Sequence, residues 1–223
     1  MPINNFNGST FVAFADISGF QKRMKKPNSA MEALHHFYSH GYNILRSQQQ
    51  DAPERVEGLF ISDCAVLFVR HDHANIRAQL RAMLSVVQSI NRGMRQHKLM
   101  LSTSIAYGRF DYSQHQEFTG IEKNLVHGDP YLEAYRDQSS GRPKLNPGQC
   151  RILHKNIPPA MLPLLNDNKY FNRIRPGCDH SYFYWMCDTS DEIEGFDRLY
   201  RDAERLKGDE KYDGMLRALK QHP

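Results

Sequence analysis

A chain of 223 residues with 40% hydrophobic and 11% aromatic content can bury one sizeable core, which excludes wholesale disorder. Its formal charge of +4 suits an anionic small ligand but falls short of a nucleic-acid-binding surface, so no nucleic-acid partner is expected. No apolar run approaches the roughly 18–20 residues that span a bilayer, the N-terminus lacks a signal-peptide pattern, and the four cysteines form no CxxC pair; a cytoplasmic, non-membrane protein with free thiols is expected.

Thr10–Ile17 is an apolar run that breaks at Gly19 and predicts a buried strand. Asn28 or Ser29 then caps a helix through Leu45, with Met31, Leu34, Phe37, Tyr38, Tyr42 and Leu45 at helical spacing. Arg55–Ile61 and Cys64–Val69 read as a hairpin around the tight turn Ser62-Asp63. A long helix follows from about His73 to Gln96, with Ile76, Leu80, Met83, Leu84, Val87 and Ile90 on one stripe.

Met100–Tyr107 predicts another strand, and the polar stretch Phe110–Val126 a loop over a site. Gly128-Asp129-Pro130 opens a helix to about Gln138, with Asp129 as the cap and proline in the first turn. Gly148–Leu153 reads as a short strand, Pro158–Leu165 as a short helix, and Tyr170–Ile174 with Ser181–Cys187 as paired late strands. A helical segment from Ser190, interrupted near Gly208, closes the chain; Leu199, Leu206, Met215, Leu216 and Leu219 give it an apolar face. The order βαββαβ, then helix and further strands, predicts an α+β sandwich: a mainly antiparallel sheet with helices on one face. Residues 1–190 are expected to form the catalytic domain and 191–223 a helical extension packed on it.

Two aspartates hold special places. Asp16 ends the first strand ahead of Ile17-Ser18-Gly19-Phe20, and Asp63 sits in the hairpin turn. A βαββ layout can bring these points side by side, where two carboxylates would hold two hard cations, Mg²⁺ or Mn²⁺. The amides of Ile17–Phe20 would then face a triphosphate, with glycine allowing close approach. Spacing alone also allows a strand-end cap and an ordinary turn residue.

Four segments in order resemble the motifs of class III nucleotidyl cyclases: FVAFADISGFQKRM, RVEGLFISDCAVLFV with Ser62 in place of a glycine, LSTSIAYGRF, and VHGDPYLEAYRDQ with Gly128, Ala134 and Arg136 retained. They span Phe11 to Gln138. The resemblance implies a ferredoxin-like βαββαβ core, metal binding by Asp16, Asp63 and the Ile17 carbonyl, and phosphate binding by Ile17, Ser18, Gly19 and Phe20. Arg136 would stabilise charge on the α-phosphate, as a planar five-donor guanidinium can. It further implies a homodimer with shared active sites, Arg136 facing the other subunit's aspartates.

Where purine cyclases carry base-reading polar residues, this chain has Leu59 and Leu125, and Leu132 stands at the position of their helix asparagine. An apolar residue cannot pair a purine edge, and unmatched polar groups are costly. The chain is in this respect similar to the bacterial Pycsar pyrimidine cyclases, which implies UTP or CTP as substrate and cyclic UMP or cyclic CMP as an antiphage signal read by a separate effector. Arg55, Glu57, Tyr131 and Tyr135 are candidate base readers. The alternatives are an adenylate or guanylate cyclase, or a degenerate nucleotide-binding dimerisation domain of the same fold. His36 and His40, at i, i+4, form a weak candidate zinc pair without a third ligand, and Cys64 reads as a free buried thiol. Lys22, Arg23, Lys25 and Lys26 read as a solvated basic face.

Overall fold

A computed structural model describes residues 3–48, 52–71, 75–118 and 121–221. Strand β1 (Phe6–Ile17) lies in an eight-stranded sheet with β2 (Glu54–Ile61), β3 (Cys64–His71), β4 (Leu101–Phe118), β5 (Ile121–Gly128), β6 (Cys150–Leu153), β7 (Ile174–Pro176) and β8 (His180–Phe183). The order is β2-β3-β1-β4-β6-β8-β7, with β5 paired to β4 off this path. All pairings are antiparallel except β4 with β6.

The alternation of β1 sorts its side chains. Phe11, Ala13, Ala15 and Ile17 enter the larger core, under the main helical layer. Val12 and Phe14 face the other side with Leu59, Val66, Phe68 and Tyr112. Asp16 shares their parity, and side chains two residues apart share a face.

The main helical layer comprises the short α1 (Phe20–Met24), α2 (Pro27–Ser47), α3 (Ile76–Gln96), α5 (Leu162–Leu165), α6 (Asn168–Phe171), α7 (Glu192–Glu204) and α8 (Gly208–Gln221), each of which sends side chains into the larger core. Ala30, Ala33, Phe37 and Gly41 form the buried stripe of α2; Met31, counted on that stripe from its spacing, is exposed. The Asn75 side chain caps α3 by accepting from the Ala78 amide at 3.2 Å. The His40 ring of α2 fills the space beside Gly93 of α3, where a Cβ would lie 1.6 Å from it. In α7 and α8, Ile193, Phe196, Tyr200, Met215, Leu216 and Leu219 join the same core, while Leu199 and Leu206 stay partly exposed.

Helix α4 (Asp129–Ser140) lies across the opposite face, where Ala134 and Tyr131 pack with Phe14 and Ala106. Its cap is Gly128 at φ 135°, not Asp129, which is the first helical residue. A Cβ at Gly128 would meet the Arg109 carbonyl oxygen at 2.3 Å.

Two expectations are corrected. The described residues of Phe110–Val126 form no loop: β4 and β5 run on through them as a long antiparallel ribbon paired from Phe110↔Gly128 to Phe118↔Ile121, with a bulge between Gln116 and Phe118. Tyr170–Ile174 is not a strand: Asp167 accepts from the Lys169 amide and starts α6, which takes Tyr170 and Phe171, and the chain then turns, leaving β7 only Ile174–Pro176. The proposed start of α3 near His73 lies outside the described residues.

Candidate active site

Asp16 and Asp63 meet. The β1–β3 register pairs Asp16 with Cys64, and the Asp63 carbonyl accepts from the Ile17 amide at 2.9 Å, closing the turn onto the strand end. Asp16, Asp63 and Cys64 each offer a ligand atom, all within 4.8 Å of one another. This is the one such cluster of possible metal ligands among the described residues.

The turn that presents Asp63 is a two-residue hairpin connection with Ser62 at φ 54°. Such connections call for positive φ, which favours glycine; serine here accepts a left-handed conformation. Gly19 performs the same service after β1. At φ 77° it turns the chain from the strand into α1, and its Cβ position is otherwise open apart from Tyr212 at 3.9 Å. Conformation, not space, demands glycine there.

Burial raises the Asp16 carboxyl pKa to about 6, and the charge of Asp63 adds to this; hydrogen bonds from Cys64 and Gln138 act in the other direction. The Cys64 thiol is pushed far up by burial and by both carboxylates. A cation among these groups would relieve both effects. Two carboxylate oxygens fit a hard divalent ion; the thiol adds a softer third donor.

Of the four amides expected to face phosphate, two are already engaged, Ile17 with Asp63 and Ser18 with the Met100 carbonyl at 2.9 Å. Those of Gly19 and Phe20 stand at the start of α1, where a helix leaves its first N–H groups without internal partners. Leu59 is buried on the Asp16 face beside Val66, which separates it from Phe14, at 9% exposure. Leu132 and Leu125 are exposed.

Arg136 does not turn to the aspartates of its own chain. Its side chain is 61% exposed, 3.9 Å from Glu133, which also binds Lys155 at 2.9 Å. Arg55 and Glu57, candidate base readers, belong to an ion-pair group with Arg70 at 2.9–3.0 Å. Tyr135 stands edge-on to Phe14, with ring centroids 5.3 Å apart, and remains half exposed. His36 stacks on His97 at 3.6 Å while His40 bonds the Ser89 carbonyl, so the two do not converge on a metal position. The basic cluster is partly engaged: Lys22 pairs with Asp209 at 3.2 Å, and Arg23 bonds Ser29 and the Lys98 carbonyl.

Sequence reasoning missed Gln138. Its Nε2 donates to Ser102 Oγ at 3.3 Å, and the side chain lies near enough to Asp16 to lower that carboxyl's pKa, so the end of α4 reaches the acidic pair. Helical spacing from Tyr131 and Ala134 was the available signal, since both lie on the packed face. It also missed Arg151, a fully buried charge in the middle of β6.

No protein-family model matches this sequence, and no curated protein does. Solved structures do resemble the fold. The adenylyl cyclase CyaB from P. aeruginosa superposes with a TM-score of 0.57 at 15% identity, over 81% of this chain and 95% of that one. A dimeric guanylyl cyclase domain of the RhoGC fusion protein from Blastocladiella emersonii gives 0.58 at 14% identity, over 81% and 97%. The guanylate cyclase domain of RhGC from Catenaria anguillulae, solved in complex with GTP, gives the same values. The chain has the fold of class III nucleotidyl cyclase domains. Among the described residues no helix is long and apolar enough to cross a membrane.

Proposed function

We propose that this chain is a nucleotidyl cyclase, joining the 3′-hydroxyl of a nucleoside triphosphate to its own α-phosphorus and releasing pyrophosphate. The observation that carries the reading is the meeting of Asp16 and Asp63 at the strand end and hairpin turn, on a fold shared with cyclase domains. Asp16 and Asp63, with the Ile17 carbonyl, would hold two Mg²⁺ or Mn²⁺ ions. Bound there, such ions lower the pKa of the attacking hydroxyl and neutralise the leaving group. The Gly19 and Phe20 amides, together with Ile17 and Ser18 at the turn, would orient the phosphates.

Arg136 is exposed and its ion-pair contact is with Glu133 and not with its own acidic pair, which suits a guanidinium delivered to a second copy of the chain. The Asp16 face also exposes Ile61 and Tyr135, apolar surface that a homodimer would cover. We take the active form to be a homodimer with shared sites.

Buried Leu59 offers a base no hydrogen bond, and we take the substrate to be UTP or CTP, with the cyclic product serving as an antiphage signal for a separate effector in the cytoplasm. A purine cyclase is the second reading, favoured by the GTP complex of a similarly folded domain. Incubation with each of the four triphosphates and Mn²⁺, with products identified by mass, tests both. Cyclic UMP or cyclic CMP is expected; cyclic AMP or cyclic GMP alone overturns the pyrimidine assignment, and no cyclic product overturns the cyclase.

A further inference from the structure

The residue after Arg136 is tied into the sheet. Asp137 Oδ2 accepts from Arg151 Nε at 2.9 Å and from Ser104 Oγ at 2.6 Å, and Oδ1 accepts from Arg151 Nη2 at 2.7 Å. The third arm of the guanidinium, Nη1, donates to the Pro143 carbonyl at 2.8 Å. Arg151 has 0% exposure. Gly141 leaves the room this requires: a Cβ there would sit 2.5 Å from Asp137 Oδ1 and 2.6 Å from Arg151 Nη2.

Burying two charges costs roughly what their attraction returns, and an apolar pair of similar size often stabilises as well or better. Added stability is therefore a poor reason for this arrangement. Direction is a better one. A two-pronged guanidinium–carboxylate contact fixes the plane and angle of its partners, which apolar packing does not.

The fixed element is the last turn of α4. Successive helix residues are about 100° apart around the axis. With Asp137 pinned to β4 and β6, Gln138 is held on Ser102, the register partner of Asp16, and Arg136 is held facing solvent. Rotation of the helix would move both, and a misplacement of about 1 Å in a catalytic arrangement can cost 10²-fold in rate.

We propose that Asp137 and Arg151 are positioning residues, a buried latch that sets the rotation of α4 and so places Gln138 beside the metal-binding aspartate and Arg136 toward the second active site. The proposal rests on the cyclase reading above. Its test uses the full chain with Asp137→Leu/Arg151→Met, which removes both charges together, and Arg151→Lys, which keeps the charge and loses the fork. Measured quantities are thermal midpoint, kcat and KM for the triphosphate the wild type turns over best, and Mn²⁺ affinity from the electron paramagnetic resonance of free Mn²⁺.

The expected result is a double variant that melts near the wild type, with kcat at least 10-fold lower, KM within about 3-fold, and Mn²⁺ affinity several-fold weaker. A folded double variant with wild-type kcat overturns the latch. If the double variant does not fold, Arg151→Lys decides by the same criterion. A wild type that cyclises none of the four triphosphates refutes the cyclase reading instead. The latch then stands or falls on Mn²⁺ affinity, which drops several-fold in the variants if it sets α4 and is unchanged if it does not.

Discussion

Asp16 and Cys64 face each other across β1 and β3, and the Cys64 thiol donates to Asp16 Oδ1 over 3.4 Å. With Asp63 beside them, an ionised Asp16 has a neighbour that would repel it and a thiol held protonated. Its carboxyl is raised from 3.8 to about 6, so the folded state binds the proton more tightly than the unfolded chain. The resulting stabilisation is full below about pH 3.8 and is lost as pH rises through about 6. Asp16→Asn should therefore stabilise the metal-free protein at pH 7, by on the order of 1–2 kcal/mol after allowance for solvent screening. Denaturant titrations at pH 4.5 and 7.5 check this: the advantage of the variant should shrink at the lower pH.

Divalent cations should reverse that order. An ion that binds only the folded state adds about 2.7 kcal/mol at 100 times its Kd. Millimolar Mn²⁺ should raise the melting temperature of the wild type and leave Asp16→Ala and Asp63→Ala unmoved. Equal shifts in all three would place the ion elsewhere.

Arg136→Ala should lower kcat about 10²–10³-fold, the usual effect of removing a group that stabilises transition-state charge. Its exposure predicts little change in melting temperature. Mixed with Asp63→Ala, it should regain part of the wild-type rate, because a heterodimer contains one site with both groups intact. Separate gains from either protein alone, or none in a proven heterodimer, would contradict shared sites.

Gly93→Ala should cost up to about 1 kcal/mol net, since its methyl would overlap the His40 ring and force that half-buried side chain off the Ser89 carbonyl. Denaturant unfolding measures it. A stabilised variant, as helix propensity alone would give, would mean that the His40 contact contributes nothing.

Much of the frame was legible from local pattern. Period-two and continuous apolar runs marked β1, β2 and β3, helical spacing marked α2 and α3, and the Gly128-Asp129-Pro130 start marked α4. The β4–β5 ribbon was not legible because Ser113, Gln114, His115 and Gln116 show no apolar alternation; that strand exists through its pairing with β5. At the site, Asp16 and Asp63 stood out as acids at a strand end and a turn. Gln138 and Arg151 did not, since a polar residue on a helix and a basic one in a short strand look solvated until the packing is known.

By itself the sequence determined where strands end and where the chain turns, because backbone sterics and the burial period act over a few residues. It placed Asp16 at one such end and Asp63 at another. Tertiary structure alone decided that Asp16 meets Cys64, 48 positions away, and that Arg151 closes on Asp137 across the sheet. Those contacts depend on strand order and on how α4 lies over it, which the whole chain settles together as it buries its core.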